Sequence, residues 1–157
     1  MTFTTKSSQD NREPLPELSF LELTKAIHIE GEKPGPSLQE LAIIIDIALN
    51  NTYNYGLTEP GNNFGWLANL ESAKAAKQII LEGITDIELI ASEVHEGWNS
   101  IALADYNNEL ELDTPTTDEK KQSRYNLAIL NYNQLSDEEK EKDRVVARAV
   151  LSAMTGN

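Results

Sequence analysis

"SLQELAIIIDIALNN", residues 37–51, is the stretch on which the fold turns. Its isoleucines at 43, 44, 45 and 47 are β-branched and suit a strand. Two features oppose that reading. Ser37 stands three residues before Glu40, the spacing at which a serine hydroxyl and a glutamate carboxylate each take a free backbone N–H of a helix's first turn. Ala42 and Ala48 are strong helix formers. The stretch therefore reads as a buried helix, apolar on most sides.

The same capping spacing occurs at Ser19/Glu22, Thr85/Glu88, Thr116/Glu119 and Ser136/Glu139. Four of the five boxes precede runs of helical apolar spacing. Phe20, Leu23 and Ile27 support a short helix that stops before the breaker "EGEKPGP". "LESAKAAKQIILEG", residues 70–83, reads as a helix closed by Gly83. Ile87, Ile90, Ala91, Val94, Trp98 and Ile101 give the next one a continuous apolar face. "DYNNELELDTPTTDEKK", residues 105–121, reads as loop. "RYNLAILNYNQL" continues a helix through Tyr125, Ala128, Ile129 and Tyr132. A last helix runs from Asp137 to about Met154, with Val146, Val150 and Ala153 inward and three acids in its first turn, at the positive end of the helix dipole.

The spacing thus predicts an all-α chain of five or six helices. An extended polar arm occupies residues 1–17, where Pro14 and Pro16 prevent continuous helix. A helical region spans 18–85, and a second helical domain spans 86–154. Within the first, residues 53–69 form a long loop. Its aromatics Tyr53, Tyr55, Phe64 and Trp66 either pin it to the core, form a short hairpin or face a partner.

Lys and Arg total 13 against 26 Asp and Glu, a net charge of −13. A field of that sign repels nucleic-acid phosphates and anionic membranes, and it suits contact with basic protein surfaces. There is no cysteine, which removes disulfides and thiolate metal sites. The N-terminal stretch has no apolar signal-peptide core. The longest apolar run, Leu41 to Leu49, contains Asp46 and is too short to span a bilayer. These features lead us to expect a chain that is neither secreted by a signal peptide nor transmembrane, at home in the cytoplasm or a virion.

"IASEVHEGWNSIA", residues 90–102, is the most chemically suggestive run. His95 and Glu96 begin a zinc-protease motif, but Asn99 stands where the second histidine belongs. Glu93 and Glu96 share a helix face and read as solvated, while His95 points elsewhere. "GNNFGW" lacks the lysine and hydroxyl of a phosphate-binding loop. No metal, no cofactor and no catalytic constellation is expected, and the chain reads as a non-enzyme. Trp98 follows Val94 on the apolar face and reads either as core packing or, with His95, as the wall of a cleft where a flat ligand stacks.

Two segments together resemble the RyR domain, the repeat named from ryanodine receptors. The family's His-Glu-x-Trp helix is matched by His95, Glu96 and Trp98. Its C-terminal segment is matched at Tyr132, Leu135, Lys140 and Asp143, so the resemblance covers about residues 86–154. Asn126, Leu127 and Asn131 replace the family's His and two prolines, and "ALADYNNELEL" stands where it has Gly-Trp-x-x-Gly. The residues kept are those that pack and cap helices. The resemblance implies a non-catalytic binding module for an adenine-nucleotide-type ligand. His95, Trp98, Tyr132 and Arg144 would be its site, with Trp98 and Tyr132 sandwiching a base and Arg144 meeting a phosphate. Arg144 reads equally as a partner of acidic neighbours on its own helix.

The leading expectation is an interaction or assembly protein: an RyR-like helical body docks on a larger complex, such as a phage virion or a homo-oligomer, through arm residues Leu15, Leu18 and Phe20. The alternative is a module that senses or sequesters the nucleotide-type ligand.

Overall fold

The computed structural model describes residues 35–156. The arm with Leu15, Leu18 and Phe20, the Ser19/Glu22 box, the short helix after it and His28 lie outside the described residues.

Among those described there are five α-helices and no strand. They are α1 (Leu38–Tyr53), α2 (Phe64–Leu81), α3 (Ile87–Tyr106), α4 (Asp118–Ala128) and α5 (Asp137–Thr155), with a 3-10 turn at Tyr132–Gln134 before α5. The described residues are all-α, as the spacing predicts.

α1 begins with the expected box. The Glu40 amide donates to the Ser37 hydroxyl at 3.1 Å, and the Ser37 amide donates to the Glu40 carboxylate at 2.7 Å. Leu41, Ala42 and Ile45 turn inward, while Ile47 is largely exposed. The helix ends where Asn54 takes a left-handed conformation, φ 59°. The loop that follows is tied back to α1 by Thr58, whose amide donates to Asp46 at 2.8 Å.

α2 starts six residues earlier than its apolar run suggests. The Asn63 side chain accepts the Trp66 amide at 2.8 Å, so Phe64 and Trp66 lie inside the helix and no hairpin forms. Two other starts shift by one residue. Asp86, not Thr85, caps α3 by accepting the Leu89 amide, and Thr117, not Thr116, caps α4 by accepting the Lys120 amide. The segment read as loop up to residue 121 therefore turns helical at Asp118. Ser136 caps α5 as expected. The helix projected through Tyr132 stops at Ala128 instead, and Tyr132 reaches the core from the 3-10 turn.

Leu41 and Ile45 of α1, Ala73 and Ala76 of α2, Ile90, Ala91 and Val94 of α3, and Val146, Ala147 and Val150 of α5 meet in one core. It draws from both sides of residue 85. α3 packs against α2, α4 and α5, its broadest contact being with α2. No helix among the described residues is long and apolar enough to cross a membrane.

Candidate functional site

The α2–α3 contact depends on Gly97, inside the run that attracted notice in the sequence. A Cβ there would lie 2.5 Å from the Glu71 carbonyl oxygen and 2.9 Å from its carbon. Because Gly97 has none, the two backbones close up, and α2 presents Asn69 and Ser72 across from Val94, His95 and Trp98 of α3. α5 lies alongside with Glu139, Lys142, Asp143 and Val146, one helical stripe. Arg124 and Leu127 come from α4, and Tyr55 and Phe64 from the α1–α2 connection and the first turn of α2. Together they enclose a cavity of about 460 Å³.

His95 is 3 % exposed and joins three elements. Its Nε2 lies 2.8 Å from the Leu130 carbonyl oxygen. A carbonyl only accepts, so Nε2 carries the proton. Nδ1 faces the Asp143 carboxyl at 3.5 Å. Burial pushes Asp143 up to about 7, Glu139 one turn away adds to this, and Lys142 opposes it. The protonated Asp143 is thus a suitable donor toward Nδ1. The imidazole stacks beside Trp98, ring centroids 6.4 Å apart and planes 13° from parallel. Phe64 meets Trp98 edge-on at 6.2 Å.

On the α4 side, the Arg124 guanidinium lies 3.7 Å over the Phe64 ring. Burial lowers its pKa and Asp105 raises it, but Asp105 stands off at 3.9 Å. Arg124 Nη1 and Asp105 Oδ2 are both buried without a hydrogen-bond partner.

The structure divides the residues expected to form a site. His95 and Trp98 line the cavity; Tyr132 and Arg144 do not. Tyr132 donates its hydroxyl proton to Glu88 at 2.8 Å, and burial together with that carboxylate pushes it up to about 12. Arg144 donates to the same Glu88 at 2.7 Å and reaches Glu141 and Asp137 on its own helix. Both hydrogen bonds hold Glu88 below the usual carboxylate range. This cluster latches the start of α5 to the start of α3. The sandwich of Trp98 and Tyr132 is not formed, because the tyrosine ring is spent on the core and on Glu88. Lys140, one turn before Arg144, sits 5.5 Å over the Tyr132 ring.

Asn69, Phe64, Arg124, Gly97 and the cavity role of Asp143 escape the sequence reading. Gly97 alone leaves a signal there: a glycine in the middle of a good helix costs roughly 1 kcal/mol against alanine, so something must require it. Glu93 and Glu96 are exposed, as expected. Among the described residues no group of three or more His, Asp or Glu side chains is set to hold a metal. No family model, no curated protein and no solved structure matches the chain.

Proposed function

We propose that the chain is a non-catalytic, RyR-like binding module that senses or sequesters a small molecule, and that the cavity takes the ligand's planar ring, of the adenine type, against Trp98. One observation carries this reading: a partly exposed tryptophan, beside a stacked and fully engaged histidine, forms part of the wall of a ligand-sized cavity. Volumes of about 300–1,000 Å³ with aromatic walls and a few placed polar groups are typical of small-molecule sites. Two features favour binding over turnover. Both His95 nitrogens are committed, to Leu130 and Asp143, and no hydrogen bond joins it to the Ser72 hydroxyl across the cavity. The assembly reading rests on the arm with Leu15, Leu18 and Phe20, which lies outside the described residues, and on the net negative charge.

Titration of the purified chain with adenosine and adenine nucleotides, followed by calorimetry, tests the proposal. Base–aromatic stacking contributes roughly 1–3 kcal/mol, so Trp98→Ala is expected to weaken binding by about 10- to 100-fold. Tyr132→Phe, which alters the latch and not the cavity, is expected to bind as the wild type does. Equal affinity in Trp98→Ala would rule out this wall.

A further inference from the structure

Arg124 is a largely buried cation that pairs only loosely with Asp105, at 3.9 Å. Its side chain is only 26 % exposed, yet it makes no hydrogen bond to any described residue. A guanidinium has five N–H donors in a rigid fork, and burying it without partners is costly. The Phe64 ring covers one face and fixes the plane of the group. Asp105 lies beyond hydrogen-bond distance on the Nη1 side. Arg124 also lines the cavity, as does Asn69, nine-tenths buried and with no side-chain hydrogen bond to a described residue.

The neighbouring acids do not fill this role. Glu139 pairs with Lys142 at 3.2 Å, and Asp143 faces His95. Phe64 touches both groups, with Trp98 edge-on to its ring and Arg124 over its face. A ring stacked on Trp98 is thus one aromatic side chain away from the guanidinium.

We propose that the ligand carries an oxyanion, a carboxylate or a phosphate, and that Arg124 receives it through a pair of charge-assisted hydrogen bonds, with Asn69 available as a neutral donor beside it. This rests on the cavity being the binding site and adds the chemical class of the ligand's second group.

Two measurements separate this inference from the ring reading. The first compares adenosine, adenosine 5′-carboxylate and AMP on wild type and on Arg124→Gln. The anionic compounds should bind wild type about tenfold tighter than adenosine, and Arg124→Gln should erase that advantage, so that all three compounds bind the variant alike. The better of the two anions identifies carboxylate or phosphate. The second is thermal unfolding in inorganic phosphate and in acetate, each against chloride at equal ionic strength. At least one oxyanion should raise the wild-type melting temperature by a few degrees and leave Arg124→Gln where it was. Adenosine binding with no anion preference and no oxyanion-dependent shift would overturn the oxyanion and leave the ring reading standing. An Arg124-dependent shift without adenosine binding would do the reverse, and silence in both would overturn both. Arg124→Lys guards against a merely structural effect: it keeps the charge but not the fork, and should recover part of the shift.

Discussion

Gly97→Val is expected to destabilise the fold by more than about 3 kcal/mol, a large part of the roughly 5–15 kcal/mol that holds a domain of this size. The atoms a Cβ would meet are the carbonyl oxygen and carbon of Glu71, at 2.5 and 2.9 Å, with Ser72 Cα next at 3.2 Å. These are backbone atoms of a neighbouring helix and cannot rotate away. α2 and α3 must separate, and every pair packed between them loosens. Gly97→Ala makes a graded version. The methyl restores up to about 1 kcal/mol of helix propensity but still clashes, for a net loss of about 1–2 kcal/mol. Urea unfolding followed by circular dichroism reads both, with Ser100→Ala, on the exposed side of the same helix, as a near-neutral reference. An Ala variant with the wild-type midpoint would mean the helices are not this close. Affinity should fall with stability, because α2 carries Asn69 and Ser72 into the cavity.

Asp143 should make the protein less stable as pH rises toward neutrality, and Asp143→Asn should remove much of that dependence. In the unfolded chain the carboxyl titrates near its ordinary value of 3.8; burial in the fold moves it to about 7. Between those values the folded state holds a proton that the unfolded state has released. Its stabilising contribution is therefore complete below 3.8 and gone above about 7. At ~1.4 kcal/mol per unit of difference, wild type should lose roughly 2–3 kcal/mol between pH 5 and pH 8 through this group alone. Asparagine does not titrate and can still donate a hydrogen bond to His95 Nδ1, so the variant should overtake wild type at pH 8. Glu88 and Glu141, held below the ordinary carboxylate range by their arginine partners, act in the opposite direction and only in acid. Chemical unfolding across this pH range for both proteins measures the difference. Equal slopes would show that Asp143 is not the titrating group.

The fold class was legible because caps and apolar spacing agree at α1, α3 and α5. Ser37 and Ser136 do as their spacing requires. The two threonine boxes miss by one residue for a compositional reason. In a chain with 26 acids, a glutamate three residues after a threonine is common, and Asp86 or Thr117 caps equally well. The start of α2 was hidden by Gly61 and Gly65, which read as breakers. Gly65 sits in the helix's first turn, where Asn63 secures the end. The start of α4 at Asp118 gives no periodic signal, because the helix buries only Ala128, at its end. It is held by its cap and by the Tyr106–Tyr125 stack, rings 4.1 Å apart, which pairs residues that no local pattern connects.

The candidate site was half legible. The pattern at 94–98 placed His95 and Trp98 together because they share one helix. Arg124 and Asp143 could not be found that way. They come from other helices and reach the cavity only through the packing that Gly97 permits. Tyr132 and Arg144, expected beside His95 and Trp98, meet instead at Glu88, which carries no mark in the sequence beyond a capping role.

The thin attachment of α4 has a kinetic consequence. A helix with one buried residue, resting chiefly on α3, is the segment whose backbone should open first without unfolding the rest. Its amides are expected to exchange with solvent deuterium well before those of α3, whose burial ties them to global unfolding. Arg124 and Leu127 leave the cavity wall whenever α4 lifts. A bound ligand bridging Trp98 and Arg124 would then slow α4's exchange while leaving that of α3 unchanged.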